Sequence, residues 1–202
     1  LLVREPPPEP HGVSLAQTIY GQFRRPHGLL GRLAGAIMAA RGSNRQRNAW
    51  TIELLGLRPD DRFLEIGYGP GLSLALASQT ITKGAIVGID HSDTMHRAAT
   101  ARNADAIRSG RITLKTGGLE LLDGLDEPFT KVMSANVVQF WEDAAAAFGK
   151  IAGVMAPGGT VATTYQPRHR GATAADAGVM ADRIIGWMED AGFHDIRSAR
   201  LP

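Results

Sequence analysis

The sequence predicts an α/β protein in which a doubly wound, mostly parallel sheet is covered by helices on both faces, giving three layers. Three observations point there. From residue 62 onward, short apolar runs of strand type alternate with longer segments of helical type. The first run, Phe63-Leu64-Glu65-Ile66, leads straight into Gly67-Tyr68-Gly69-Pro70-Gly71, so a buried strand ends in a turn with glycine at alternate positions. The next apolar run, Ile86-Val87-Gly88-Ile89, ends on Asp90, nineteen residues past Gly71. That is close to the interval of about twenty residues expected for the ribose acid of a nucleotide-binding βαβ unit.

The elements follow in order. Residues 1–12 contain Pro6-Pro7-Pro8-Glu9-Pro10 and read as an extended leader. Leu29, Leu30, Leu33, Ala34, Ile37 and Met38 recur at helical spacing with Arg25 and Arg32 off the stripe, which predicts an amphipathic helix over 26–41. Gly28, Gly31 and Gly35 lower its propensity, so it needs tertiary contacts or ligand to order and is expected to act as a mobile lid. Ser43-Asn44-Arg45-Gln46 fits a capping box opening a second helix that ends near Gly56. Strands are expected near 62–66, 85–90, 111–116, 130–135 and 159–165, and a last one near 194–200. Helices are expected near 71–80, 92–108, 142–155 and 174–191. Ser92 suits an N-cap, Gly110 a helix stop, and Thr173-Ala174-Ala175-Asp176 a capping box. Pro157-Gly158 is expected to end a helix and reverse the chain before the fifth strand.

Composition narrows the chemistry. With 202 residues, 44% hydrophobic and 21% charged, the chain suits one soluble domain with a sizeable core. The absence of cysteine excludes disulfides, thiolate metal sites and a cysteine nucleophile. The histidines are scattered and no carboxylate cluster has ligand spacing, so no metal is expected. No apolar stretch is long enough to cross a bilayer and the start lacks the order of a signal peptide, which reads as cytoplasmic. The net charge of +2 divides unevenly: residues 1–50 carry seven arginines against Glu5 and Glu9, a balance of +5, and the remainder carries −3. A basic leader of this kind either decorates a solvated lid helix or attracts a membrane surface or an acidic substrate. The basic residues lack interleaved aromatics, so no nucleic-acid partner is expected.

The glycine spacing separates two ligand classes. A dinucleotide site wants G-x-G-x-x-G with a pyrophosphate on the helix N-terminus. Here the pattern is G-x-G-x-G with Glu65 two residues ahead. That carboxylate repels a pyrophosphate and attracts a ligand carrying an ammonium and a sulfonium. The stretch resembles motif I of the class I S-adenosylmethionine-dependent methyltransferases, and Ile86-Val87-Gly88-Ile89-Asp90 is similar to their second motif, a likeness running from about Asn44 to the end. The resemblance implies a Rossmann-like methyltransferase fold with seven strands in the order 3-2-1-4-5-7-6. Only six strand candidates are found in 44–202, with 1–43 as leader and lid, so the seventh strand is either supplied otherwise or absent from this sequence. The motif set is most similar to the quinone-biosynthesis and small-molecule branch.

What the resemblance implies for the site can be stated by residue. S-Adenosylmethionine is the cofactor and S-adenosylhomocysteine its product. Gly67, Tyr68, Gly69 and Gly71 form the cofactor turn; Glu65 orients the methionine end; Asp90 takes the ribose hydroxyls, with an N-cap role as its alternative. His91 and Met95 lie beside ribose and adenine, although a helical methionine is as readily core. Gly118 and Leu119 frame the adenine through backbone, and the acidic residue relatives carry there is absent or shifted to Glu120. Asn136 and Val137, after the fourth strand, lie beneath the methionine portion. Gln139, Phe140 and Trp141 turn toward a small-molecule acceptor, or, for the two aromatics, pack helix against sheet. If the acceptor is a hydroxyl or phenol a base is required, and His27, Tyr165 and His169 are the candidates. A non-catalytic cofactor-binding or membrane-associated module and an NAD-dependent oxidoreductase are the competing readings. Oligomeric state has no signal.

Overall fold

The computed structural model describes residues 42–167 and 171–201; the proline leader, the expected 26–41 helix, His27 and His169 lie outside them. Five strands, β1 (Arg62–Ile66), β2 (Ala85–Asp90), β3 (Ile112–Thr116), β4 (Phe129–Ala135) and β5 (Met155–Thr164), form one parallel sheet in the order β3-β2-β1-β4-β5. The helices are α1 (Gly42–Leu55), α2 (Leu72–Thr80), α3 (Asp93–Arg102), α4 (Ala104–Arg108), α5 (Ala144–Gly153) and α6 (Ala174–Asp190), with 3-10 turns at Leu119–Gly124 and Val138–Phe140. Strand order reverses at β1 and β4, so the crevice beyond their carboxyl ends is where an open α/β sheet takes a ligand.

Strand alternation divides the core into two layers. Phe63, Ile86, Ile112 and Met133 point to the face covered by α1 to α4, where Leu55, Leu74, Ala77, Ala99 and Ala106 meet them. Leu64, Ile66, Ile89 and Val132 point to the other face, against Phe148 and Ile151 of α5 and Ile184 and Met188 of α6. Both faces being buried explains the near-continuous apolar strands of the sequence. No helix among the described residues is long and apolar enough to cross a membrane.

Helix ends obey the local chemistry. Ser92 Oγ accepts the Met95 N–H as the N-cap of α3, and Asp143 Oδ1 accepts the Ala146 N–H at 2.9 Å to open α5. At α6 the Thr173 hydroxyl and the Asp176 carboxylate cap each other's N–H groups, the reciprocal box read in the sequence. Thr173→Ala is expected to cost about 1 kcal/mol, seen as a lower urea midpoint at unchanged m value; an unchanged midpoint would mean that Ile184 and Met188 alone anchor α6.

Four expectations are corrected. Residues 194–200 form no strand: Asp195 has φ 55, and Phe193 and Ile196, packed on the α5/α6 cluster, are three apart rather than alternating. The expected 92–108 helix is two helices broken at Asn103, because that side chain bonds elsewhere. β5 begins at Met155, so Pro157-Gly158 is an exposed irregularity within the strand, opposite Phe129 to Lys131, and not a turn ahead of it. Finally, α1 starts at Gly42, so Ser43 lies inside the helix rather than ahead of it.

Candidate active site

The glycine turn is pulled onto the end of β2. Gly67 N–H donates to Ile89 O at 2.7 Å, and Asp90 receives the Gly69 N–H on Oδ2 at 2.8 Å and the Ser92 N–H on Oδ1 at 2.9 Å. Asp90 therefore shapes the glycine turn from the neighbouring strand, while Ser92 does the capping of α3. Burial pushes its carboxyl pKa up, and the two N–H groups, then His91 and His96, oppose that.

One face of the turn is bare. Gly69 has φ +52, and among the described residues no atom beyond its chain neighbours lies within 4 Å of the position a Cβ would take. Gly71, at φ +75, differs: a Cβ there would press on Asn103 Nδ2 at 2.6 Å and on the Ala99 methyl at 2.9 Å. Gly67 backs onto the Val137 side chain. The loop thus has a packed rear and an open front.

Glu65 stands behind that front on the α2 side of β1, 2% exposed. Its Oε2 and the Oγ of Ser73, in the first turn of α2, are both buried without hydrogen-bond partners. Burial raises the Glu65 pKa to about 8 and the charge of Asp90 adds to this; the Ser73 hydroxyl offsets part, although it does not reach hydrogen-bond geometry. A buried, unsatisfied carboxyl is costly. An ammonium-bearing ligand over Gly69 would satisfy it, and the residues present therefore fit the amino-acid end of S-adenosylmethionine.

The remaining expected cofactor residues surround this centre unequally. The Tyr68 ring is buried in the α1–α4 cluster and its hydroxyl meets His96 Nδ1 at 3.0 Å, so its side chain anchors the turn. Met95 is buried and His91 is exposed beside Asp90. Gly118 donates its N–H to Glu120 Oε1 at 2.7 Å, which brings the carboxylate of Glu120 back onto the glycine position and holds its pKa down. The Leu119 side chain packs on the α5/α6 cluster.

Beyond β4, Asn136 adopts φ 58, a conformation that short polar side chains tolerate. Its N–H donates to Thr164 O at 2.8 Å, its Oδ1 accepts the Gln166 N–H at 2.7 Å, and its carbonyl accepts Gln139 Nε2 at 2.8 Å. Gln166 Oε1 in turn accepts Arg47 Nη1 at 2.7 Å, which ties α1 to this edge. Asn136 Nδ2, Gln139 Oε1 and Thr164 Oγ1 are buried without hydrogen-bond partners. Trp141 packs edge-on against Phe148 at 5.4 Å, and Phe140 is half-buried. Tyr165 packs on the α5/α6 cluster, whereas Asn136 and Gln139 make the polar wall.

Arg47, Ser73 and Thr164 were not singled out from the sequence as site residues, whereas Gln166 belongs to the polar run 165–171 that follows the fifth strand. Arg47 and Gln166 are 119 residues apart, and no local pattern joins them. The available signal was the spacing Arg47, Thr51, Leu55, which puts an arginine on the buried face of a helix.

Comparison with known proteins agrees with this geometry. A methyltransferase domain family matches residues 63–159. An uncharacterized methyltransferase, YdaC of Bacillus subtilis, is 32% identical over 164 residues, which is 81% of this chain and 87% of that protein. The ubiquinone/menaquinone biosynthesis C-methyltransferase UbiE of a Geobacter species is 30% identical over 105 residues, 52% of this chain and 43% of that protein. Among solved structures, Haemonchus contortus phospholethanolamine N-methyltransferase 2, in complex with phosphomonomethylethanolamine and S-adenosylhomocysteine, superposes with a TM-score of 0.59 at 22% identity, over 74% of this chain and 37% of that one. The chain thus spans less than half of those last two proteins. With the sheet order, the bare glycine turn and its two acids already in place, the chain belongs to the class I S-adenosylmethionine-dependent methyltransferases.

Proposed function

We propose that this methyltransferase transfers the methyl group to a small molecule that approaches over the polar edge between β4 and β5. S-Adenosylmethionine supplies an activated methyl on a sulfonium, so the protein needs to align rather than to polarise. Glu65, the turn around Gly69 and Asp90 hold the cofactor from its amino-acid end to its ribose. His91, Met95, Gly118 and Leu119 border the adenine side, and Asn136 and Val137 form the floor. The observation that carries this reading is the pairing of an orphaned buried carboxyl with an open glycine face.

On the acceptor side Gln139 and Asn136 offer a carbonyl and an amide that lack partners, a donor and acceptor pair suited to an oxygen- or nitrogen-bearing substrate. Phe140 borders them. Trp141 flanks the same edge, and where a hydroxyl acceptor requires a base, His27, Tyr165 and His169 are the candidates. Residues 1–43 act as leader and lid over 44–202. The likeness to a quinone C-methyltransferase covers about half of this chain and supports the cofactor half of the reading; the small-molecule ligand of the solved N-methyltransferase supports the acceptor half.

A screen of quinones, phenols and amines with methyl-labelled cofactor tests the proposal. Labelled small-molecule product is the expected result. Binding of S-adenosylhomocysteine with no product from any class, together with firm sedimentation on liposomes, would favour a non-catalytic membrane-associated module instead.

A further inference from the structure

We infer that Arg102 and Asn103, at the broken end of α3, are positioning residues that aim the cofactor turn and the first N–H groups of α2 into the crevice. The inference rests on the cofactor reading above. Asn103 is 5% exposed and its Nδ2 donates to Gly71 O at 3.1 Å as well as to Ala99 O at 2.9 Å. Arg102 Nε donates to Pro70 O at 2.8 Å. Both residues thus hold consecutive carbonyls of the glycine turn, and it is at Gly71, not at the open Gly69, that a Cβ would meet Asn103 and Ala99.

The consequence follows from the planarity of the peptide. All peptide bonds among the described residues are trans, so each carbonyl points opposite to the N–H of the next residue. Fixing Pro70 O on Arg102 turns the Gly71 N–H the other way, and it is found on Tyr68 O at 3.0 Å. By the same rule, fixing Gly71 O, which accepts Asn103 Nδ2 as well as the Ala75 N–H of α2 at 3.2 Å, turns the Leu72 N–H away from α3 and toward the crevice. That N–H is the first of the helix donors that have no intrahelical acceptor. Ser73, whose hydroxyl is buried without a partner next to Glu65, follows at once. Gly71 caps α2 with no side-chain bond of its own, so Asn103 adds to the Ala75 N–H a second hold on the cap carbonyl.

The restraint also accounts for the break between α3 and α4. Asn103 leaves helical geometry, at φ −108, and spends its amide on a residue 32 positions earlier. Close packing leaves no freedom at the contact, since even a methyl on Gly71 would press on Asn103.

The test compares two ligands by calorimetry: S-adenosylhomocysteine, and 5′-deoxy-5′-methylthioadenosine, which lacks the amino-acid end. Arg102 is exposed, so Arg102→Met is expected to fold normally, with its melting temperature within about 2 °C of wild type. It should bind S-adenosylhomocysteine about five- to tenfold more weakly and the shorter ligand within about twofold of wild type. Asn103→Ala should show a larger selective loss together with lower thermal stability. Arg102→Lys should recover at least half of the lost affinity. Equal losses for both ligands, or none in Arg102→Met, would overturn the inference while leaving the cofactor assignment intact. A wild-type protein that binds neither ligand would overturn the assignment itself and the inference with it.

Discussion

Gly69→Ala and Gly71→Ala, the same added methyl two residues apart, are expected to fail in opposite ways. At position 69 the methyl enters open space, so the fold loses only the cost of holding an L-residue in the left-handed region, about 1–2 kcal/mol. The methyl then stands where the ligand must approach, and affinity for S-adenosylhomocysteine should fall by about thirtyfold or more, or about 2 kcal/mol. At position 71 the backbone cost is similar, but the methyl meets Asn103 and Ala99 in a close-packed interface. Overpacking adds about 1–3 kcal/mol, so this variant should lose about 2–5 kcal/mol of stability. Thermal melts and calorimetry distinguish the two. Equal destabilisation of both variants, or wild-type ligand affinity in Gly69→Ala, would remove the assignment of the front of the turn.

Glu65 is expected to make cofactor binding strongly pH-dependent. With its pKa near 8, the carboxyl is protonated in the free protein at neutral pH. A bound ammonium favours the ionised form, so binding at about pH 7 should release up to one proton, and affinity should rise up to tenfold per pH unit between about pH 6 and 8 before levelling. Calorimetry in buffers of different ionisation enthalpy reads the proton directly. Glu65→Gln should release none, bind about tenfold or more weakly near pH 8, and lose the slope. The free protein should respond in the reverse sense. Its folded state holds this proton more tightly than the unfolded chain, whose carboxyl titrates near 4.5. Between those values the native state binds more protons, and the group lowers stability as pH rises, an effect absent below about 4.5 and complete above about 8. Glu65→Gln should flatten that decline. A pH-independent affinity with no proton release would mean that the carboxyl is not at the ammonium.

The two predictions depend on features of unequal legibility. The glycine turn and Asp90 were readable because a strand, a tight turn and a strand-end acid are local patterns with fixed spacing. Ser92 and the Thr173/Asp176 box were readable for the same reason. The strand expected at 194–200 failed because Phe193 and Ile196 stand three apart, out of strand period, and their packing on the α5/α6 cluster decided the outcome. The break at Asn103 was invisible, since nothing within the helix announces a bond to Gly71. Trp141, expected on the acceptor side, and Tyr165, expected as a candidate base, are partly buried and also pack against the α5/α6 cluster, a contact that no local pattern announces.

Taken alone, the chain's residues determined the class of fold and the cofactor, because those depend on alternation, turn geometry and charge within about thirty positions. Tertiary structure decided which glycine is open and which is packed, and how far the Glu65 pKa moves. It also decided that Arg47, Gln166 and Asn136 join into one polar edge. Desolvation and close approach are properties of neighbours in space, and the folded sheet brings together side chains as far apart in sequence as Arg47 and Gln166.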